Sequence, residues 1–343
     1  MTNTMGEIKE NTKRLSDHLH VSVAMCTYNG EKYIKEQLES ILNQTVRPDE
    51  IVICDDMSND STLSIIHETI RHITDMNIRL YTNESQLGVA QNFMKAMSLC
   101  SGDVVFFCDQ DDVWFDTKVA QYVDIFESDS SVKGVLSDAT LADEKLVSLN
   151  KSLWESLGFT EKMRRRITSG RAHRVLGKQP FVTGAVLAVR KEYFPHVIIP
   201  QGNRILHDEW LGWLINNDLA FIEEPTIYYR QHAVQQEGAH YFKSTVEHMQ
   251  YIAEIMTKQE VSRFPQVEDF EQLKQALIDS GVCTTVITCI QEKIQFIRYR
   301  QQLPRTRLKR MLYVLTNGVP GRKYEMYSNG LKGIIKDLIR KVD

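Results

Sequence analysis

Glycine and proline are both scarce, 17 and 8 among 343 residues, which excludes collagen-like and low-complexity chains. Cysteine is scarcer still. The six, Cys26, Cys54, Cys100, Cys108, Cys283 and Cys289, form no CxxC pair and no zinc-like spacing. Cys26, Cys54 and Cys108 lie within apolar runs, so each is expected as a small core hydrophobe in a reducing compartment. Long hydrophobic runs are also missing. No stretch approaches a bilayer span, and the N-terminal MTNTMGEIKENTKRLSDHLH lacks the apolar region of a signal peptide. The expectation is a cytoplasmic protein, at most peripheral on the inner face of the membrane. A large charge excess is absent too: at −4 overall, nothing in the global electrostatics asks for nucleic acid as a partner.

What is present is an ordinary globular composition, 42% hydrophobic and 25% charged, in a chain long enough for one large domain with an appendage, or for two. Up to about residue 145, short β-rich runs alternate with amphipathic stretches, which predicts βαβ units and a mostly parallel sheet. Strands are expected at Val21 to Tyr28, Glu50 to Asp56, Ile78 to Thr82 and Asp103 to Cys108. Between them, Glu31 to Gln44 and Thr62 to Ile73 each carry one apolar stripe at helical spacing. From Ser148 to Gln179 the periodicity fades and basic residues collect, as in a mobile segment or a solvated surface run. A strand at Phe181 to Arg190, a helix at Glu209 to Asn216 and a short strand near Ala220 follow, and after Gly238 the pattern is helical. Three regions result: an extension over 1–19, an α/β domain over 20–237 and a helical region over 238–343.

The last of these is strongly basic. From Arg298 onward twelve Lys and Arg face only Glu325, Asp337 and Asp343. Leu331, Ile334, Ile335, Leu338 and Ile339 share one helical stripe, with Lys332, Lys336 and Arg340 on another. Such a helix suits an anionic membrane surface, and equally suits packing on a neighbouring domain.

In an open parallel sheet, ligands bind beyond the carboxyl ends of the strands. Two acidic clusters stand there: Asp55-Asp56 with Ser58 and Asp60 after the second strand, and Asp109-Gln110-Asp111-Asp112 after the fourth. So many acids at one edge repel unless a cation or many donors compensate, and Asp-x-Asp at a strand end suits Mg²⁺ or Mn²⁺ completed by substrate phosphates. Helix capping and turn formation are the competing explanation, most simply for Asp60 and Ser61. No GxGxxG follows the first strand and no GxxxxGK[ST] occurs, which argues against NAD oxidoreductases and P-loop NTPases. An aspartyl-phosphate receiver fits the length and the second cluster poorly.

Taken in order, Thr27-Tyr28-Asn29-Gly30, Asp55-Asp56, Leu87-Gly88-Val89, Ser101-Gly102-Asp103 and Asp109-Gln110-Asp111-Asp112-Val113-Trp114 resemble the motif set of family 2 inverting glycosyltransferases of GT-A fold. The likeness covers about residues 20 to 235 and leans toward bacterial rhamnosyltransferases and related polysaccharide-building enzymes. It implies a GT-A (Rossmann-like) nucleotide-sugar domain over 20–237. Thr27, Tyr28 and Asn29 would line the base, and Asp56 would accept from the ring nitrogen of uracil or thymine. Asp109 and Gln110 would serve the nucleotide, with Asp109 on the ribose side. Asp111 would ligate Mn²⁺ or Mg²⁺, with the choice between Asp111 and Asp112 as main ligand left open. Asp112 would otherwise lie near the donor sugar. His207-Asp208-Glu209-Trp210 falls where the family places its base, which makes Asp208 the candidate, although a helix N-cap is the bland account of the same residue.

The resemblance further implies that His232, in Arg230-Gln231-His232, approaches the metal or diphosphate, and that Gly184 in Thr183-Gly184-Ala185 lines the acceptor side. Trp114, His207, Glu209 and Arg230 are then candidates for donor or acceptor contact. Trp154, Trp210 and Trp213 are also available to stack on sugars, Trp213 fitting a core position better. The implied partners are a UDP- or dTDP-sugar donor, a glycan or lipid-linked acceptor, and an anionic membrane surface at the tail. A nucleotide-sugar- or glycan-binding protein without catalysis, and a sugar nucleotidyltransferase, remain as alternatives. The second would normally carry a Gly-rich basic loop where Thr27-Tyr28-Asn29-Gly30 stands.

Overall fold

A strand buried on both faces needs apolar residues at nearly every position, and three segments come close to that demand. These are β1 (Val21–Thr27), β2 (Glu50–Asp55) and β4 (Val104–Cys108), whose residues are buried throughout except for half-buried Cys26. β3 (Asn77–Thr82) is only partly covered, as an edge strand is. The computed structural model describes residues 18–194, 197, 199–232, 265–304, 306–316, 321–328 and 330–339. Almost all of the expected extension, residues 1–17, lies outside them.

Together with β5 (Val113–Trp114), β6 (Gly134–Ala142), β7 (Ser148–Ser152), β8 (Leu187–Arg190) and β9 (Leu219–Arg230), these strands make one sheet of nine. Its order is β3-β2-β1-β4-β8-β6-β9-β5, with β7 on the side of β6. Pairing is parallel through β3, β2, β1 and β4 and again between β6 and β9; β8 joins the two parallel sets in antiparallel fashion. Helices α1 (Ile34–Leu42), α2 (Thr62–Ile70), α3 (Val89–Leu99) and α4 (Lys118–Ser128) fill the crossovers. Each buries one stripe: Ile34, Leu38 and Ile41 in α1, Phe93, Ala96 and Met97 in α3.

Three expectations are corrected. The stretch over 148–179 is neither mobile nor merely a surface run. It forms β7, α5 (Leu153–Leu157), α6 (Glu161–Arg166), a kinked turn and α7 (Ala172–Leu176), pinned by buried Leu153, Trp154, Ile167 and Leu176. Only the last part of Phe181 to Arg190 is strand. Gly184–Val186 is a 3-10 turn, because the carbonyls of Ala185 and Val186 are taken by side chains from α4 instead of a neighbouring strand. β9 is twelve residues, not a short strand; Pro225, which cannot donate to a ladder, sits where its register against β6 shifts.

Helix α8 (His207–Ile215) precedes β9. The described C-terminal part is helical: α9 (Val267–Asp279), α10 (Thr284–Gln301), α11 (Arg307–Thr316), α12 (Gly321–Tyr327) and α13 (Leu331–Ile339). Lys293 on α10 lies 3.8 Å from Glu209 on α8, and Cys289 donates to the His173 carbonyl of α7. Fully buried Asp337 accepts from Arg300 at 2.8 and 2.5 Å and from the Tyr324 hydroxyl at 3.0 Å. On the expected apolar stripe of α13, Ile334 and Leu338 are half-buried and Ile335 is 48% exposed. The side chains of Leu331, Lys332, Lys336 and Ile339, and Arg340 entirely, lie outside what is described. Among the described residues no helix is long and apolar enough to cross a membrane, and all six cysteines are free.

Candidate active site

The crossovers from β1 run toward β2 and β3 on one side and toward β4 on the other, so the chain splits apart at the carboxyl ends of β1 and β4. A cavity of about 770 Å³ opens there, of the size that holds a medium ligand. It gathers residues from five places far apart in sequence: Thr27 to Gly30 at the end of β1, Asp56 after β2, Asp109 to Asp112 after β4, and on the far wall Thr183 and Gly184 before β8 and His207 and Asp208 of α8. His232 closes one side.

Loops on the β1 side are stitched to one another. Asn29 takes a left-handed φ of 50°, donates its N–H to Ser58 Oγ and accepts the Asn59 N–H on its side chain. Asp55 is spent internally, accepting from the Thr27 hydroxyl and from the Ser58 N–H, each at 2.8 Å. The Asp56 carboxylate accepts from Asn83 Nδ2 at 2.7 Å, Leu87 N–H at 2.8 Å and Gly88 N–H at 2.9 Å. It thus shapes the loop that enters α3, with Gly88 at φ 78°. Three of roughly four carboxylate lone-pair sites are used, leaving one for a ligand.

Gln110 is a clamp. Its Oε1 accepts the Tyr28 N–H at 2.8 Å and its Nε2 donates to the Tyr28 carbonyl at 3.0 Å. A Cβ on Gly30 would come within 2.2 Å of that Oε1, so glycine is required for the clamp to close. Gln110 lines the cavity as expected, and there its amide is engaged by the Tyr28 backbone, which it positions.

The second acidic cluster divides by direction. Asp109 is half-buried on the pocket wall, and burial first, then the charges of Asp111 and Asp208, push its pKa up to about 8. Asp111 faces His232, Oδ2 to Nε2 at 2.7 Å. Asp112 is 2% exposed, accepts the Arg230 backbone N–H at 3.0 Å, and its Oδ2 has no partner among the described residues. Burial and the two neighbouring acids hold its carboxyl well above the usual range.

Asp208 stands in the first turn of α8, whose N-cap is Leu206, so the capping explanation does not apply. Its Oδ2 accepts the Gly184 N–H at 3.1 Å and its Oδ1 the Glu209 N–H at 2.7 Å. Burial outweighs these donors and raises its pKa to about 6. A Cβ on Gly184 would meet His207 Nε2 at 2.8 Å, so the turn packs directly on that imidazole. His207 is stacked on Phe93 at 4.2 Å, and neither of its ring nitrogens has a hydrogen-bond partner among the described residues.

Three candidates do not line the cavity. Trp114 is 3% exposed, covered by Phe106 at 5.7 Å and by the Lys118 ammonium at 4.1 Å, which leaves no face for a sugar. Glu209 is buried toward Lys293. Arg230 is 2% exposed and spans Glu36, the Glu144 carbonyl and the Asp111 carbonyl, at 2.6, 2.6 and 2.7 Å. It holds the Asp111 loop from behind. Trp154, Trp210 and Trp213 are core residues, at most 3% exposed, and Cys26 is on the cavity wall instead of in the core.

Sequence inspection missed Lys118, which is wholly buried beside this cluster. Burial pulls its pKa down to about 7 against the opposing charges of Cys108, Asp112 and Asp109. The available signal was a lysine on the apolar stripe of α4, one turn before Tyr122.

A nine-stranded sheet with a nucleotide-sized cleft at the divergence of β1 and β4, and acids converging on it, defines a GT-A glycosyltransferase. Residues 22–197, just over half the chain, match the family model Glycosyl transferase family 2, and the chain belongs to that family. It is 28% identical over 260 residues to dTDP-rhamnosyl transferase RfbG of Shigella flexneri, covering 70% of this chain and 82% of that protein. It is 35% identical over 109 residues to the β-1,3-glucosyltransferase WfgD of Escherichia coli, covering 32% of this chain and 41% of that protein. Among solved structures, S. aureus TarS residues 1–349 in complex with UDP-GlcNAc superimposes with a TM-score of 0.53 at 16% identity, covering 93% of this chain and 88% of that one. That likeness supports the fold.

Proposed function

We propose that this glycosyltransferase moves a sugar from a UDP- or dTDP-sugar to a glycan or lipid-linked saccharide, in polysaccharide assembly, by a single displacement with inversion. Asp208 accepts the proton of the acceptor hydroxyl as its oxygen bonds to the anomeric carbon, and the bond to the nucleoside diphosphate breaks with its electron pair leaving on the phosphate oxygen. One observation supports this best: Asp208 and the Asp109–Asp111 acids line one cavity although they are far apart in the sequence. The pKa of about 6 leaves Asp208 ionised at neutral pH and closer to the working pH than an ordinary carboxylate.

Asp111 and His232 are the residues that fit a divalent cation, since they meet on the cavity wall at 2.7 Å. Among the described residues no three His, Cys, Asp or Glu side chains gather as a protein-only cage, which suits an ion whose other ligands are phosphates and water. A single imidazole in the set favours Mn²⁺ over the harder Mg²⁺. When bound, the ion offsets charge on the departing diphosphate. Arg230 serves by fixing the Asp111 carbonyl, and Asp56 through its remaining lone pair suits the base edge of uracil or thymine.

Residues 20–237 form the catalytic unit in this proposal, with the helical region after 238 as its buttress. That region also offers a face for an anionic bilayer and hence for lipid-linked acceptors. Leu308 and Met311 on α11 are 68% and 44% exposed, with exposed Lys309 between them. Incubation of the full chain with UDP- and dTDP-sugars, Mn²⁺ and a lipid-linked acceptor tests the reaction. Free nucleoside diphosphate with an inverted anomer is expected; pyrophosphate, or a retained anomer, refutes it. Asp208→Asn is expected to abolish transfer while leaving nucleotide binding intact, and joint loss of both would remove Asp208 from the role of base.

A further inference from the structure

The Gly184–Val186 turn is held by side chains from two sides, and two of its partners come from one helix. The Gly184 N–H donates to Asp208 Oδ2 at 3.1 Å. The next two carbonyls are taken by α4: Lys118 Nζ donates to Ala185 O at 2.7 Å and the Tyr122 hydroxyl to Val186 O at 2.6 Å. The spacing of the donors is one helical turn, which brings them to one face and matches two successive carbonyls. Both side chains are completely buried.

Burial of a lysine is costly, and an apolar residue of similar length would fill the space at lower cost. Retention of the ammonium therefore requires a task that a methionine cannot perform, and the only hydrogen bond it makes among the described residues is to this turn. Helix α4 also follows directly on the Asp109–Asp112 loop through β5. The same short stretch of chain thus carries the acids on one cavity wall and the clamp that holds the opposite wall.

We propose that Lys118 and Tyr122 are positioning residues for Asp208. They fix the turn so that the Gly184 N–H holds one carboxylate oxygen, which sets the orientation of the base and favours its ionised form. This rests on Asp208 being the base.

Tyr122→Phe and Lys118→Met in the full chain test it, with Asp208→Asn alongside. The charged groups around Asp208 are Asp109 from the end of β4 and Glu209 on its own helix, the latter paired with Lys293 of α10. Tyr122→Phe alters none of them, so its pH profile is the decisive one. The expected result is a fall in kcat of about tenfold, with affinity for UDP or dTDP plus Mn²⁺ within about twofold by calorimetry. The acid limb of the rate should move to higher pH, because a carboxylate that loses an N–H donor is a weaker acid. Lys118→Met is expected to lower kcat likewise without lowering the melting temperature. An unchanged kcat and limb in Tyr122→Phe would overturn the proposal, as would nucleotide affinity falling in step with kcat. If Lys118→Met fails to fold, Tyr122→Phe alone decides. Residual transfer in Asp208→Asn overturns the base assignment itself, whereas an inactive Asp208→Asn beside a wild-type-like Tyr122→Phe overturns only the clamp.

Discussion

His207 gives a direct measure of how dry the far wall of the cavity is. Its ring is 3% exposed, lies 4.2 Å from Phe93 and 5.3 Å from Phe107, and burial alone pushes its pKa from 6.5 to about 3. In the window between those two values the unfolded chain binds a proton that the folded chain refuses, so this group's contribution to stability is lost as pH falls. Linkage from neutrality to about pH 5 gives a loss of about 2 kcal/mol, rising to about 3 kcal/mol near pH 4. Asp109 and Asp208 oppose it. Their folded pKa values are raised, to about 8 and about 6, so each favours the folded state as pH falls. The wild-type slope therefore mixes signs, and a variant is needed to isolate the histidine. Urea denaturation of wild type and His207→Leu near pH 7.5 and about pH 5 provides it: the variant should lose about 2 kcal/mol less than wild type over that span. Equal losses would refute the reasoning, because they would mean that the imidazole keeps a partner or water in the folded protein.

Three further outcomes follow from the same geometry. With Asp208 at about 6, the acid limb of kcat should fall through that pH, about two units above an ordinary aspartate, and a limb near pH 4 would contradict the burial of the base. Gly30→Ala drives a methyl into Gln110 and breaks both bonds to Tyr28; a loss of about 2 kcal/mol in stability is expected, much of it absent when Gln110 is already alanine, and strictly additive effects would sink the clamp. Flotation on vesicles rich in phosphatidylglycerol should be lost in Leu308→Glu with Met311→Glu, while binding that survives the pair, or that is equal on neutral phosphatidylcholine, rules out this face.

The parallel half of the sheet was legible because its strands are apolar at nearly every position and its helices on one stripe, two periodicities that short windows reveal. β8 and β9 were blurred where tertiary partners override local preference: side chains of α4 capture the carbonyls that would have extended β8, and Pro225 interrupts β9. At the site, the sequence located the acids but not their directions. Asp109, Asp111 and Asp112 look alike in Asp-Gln-Asp-Asp and all line the cavity, yet Asp111 meets His232 and Asp112 supports the Arg230 backbone, while Asp109 does neither. The difference arises from a loop that no longer alternates side to side once β4 has ended, so spacing alone cannot assign roles. The same limit explains Trp114 and Lys118. An aromatic beside an acidic motif suggests a sugar platform, but here its face is occupied by a buried ammonium brought from the next helix. That ammonium in turn holds the turn whose Gly184 N–H reaches Asp208. Residues that suggest chemistry by type were thus partly consumed in holding the site together, and a lysine that no motif marked supports the turn beside Asp208.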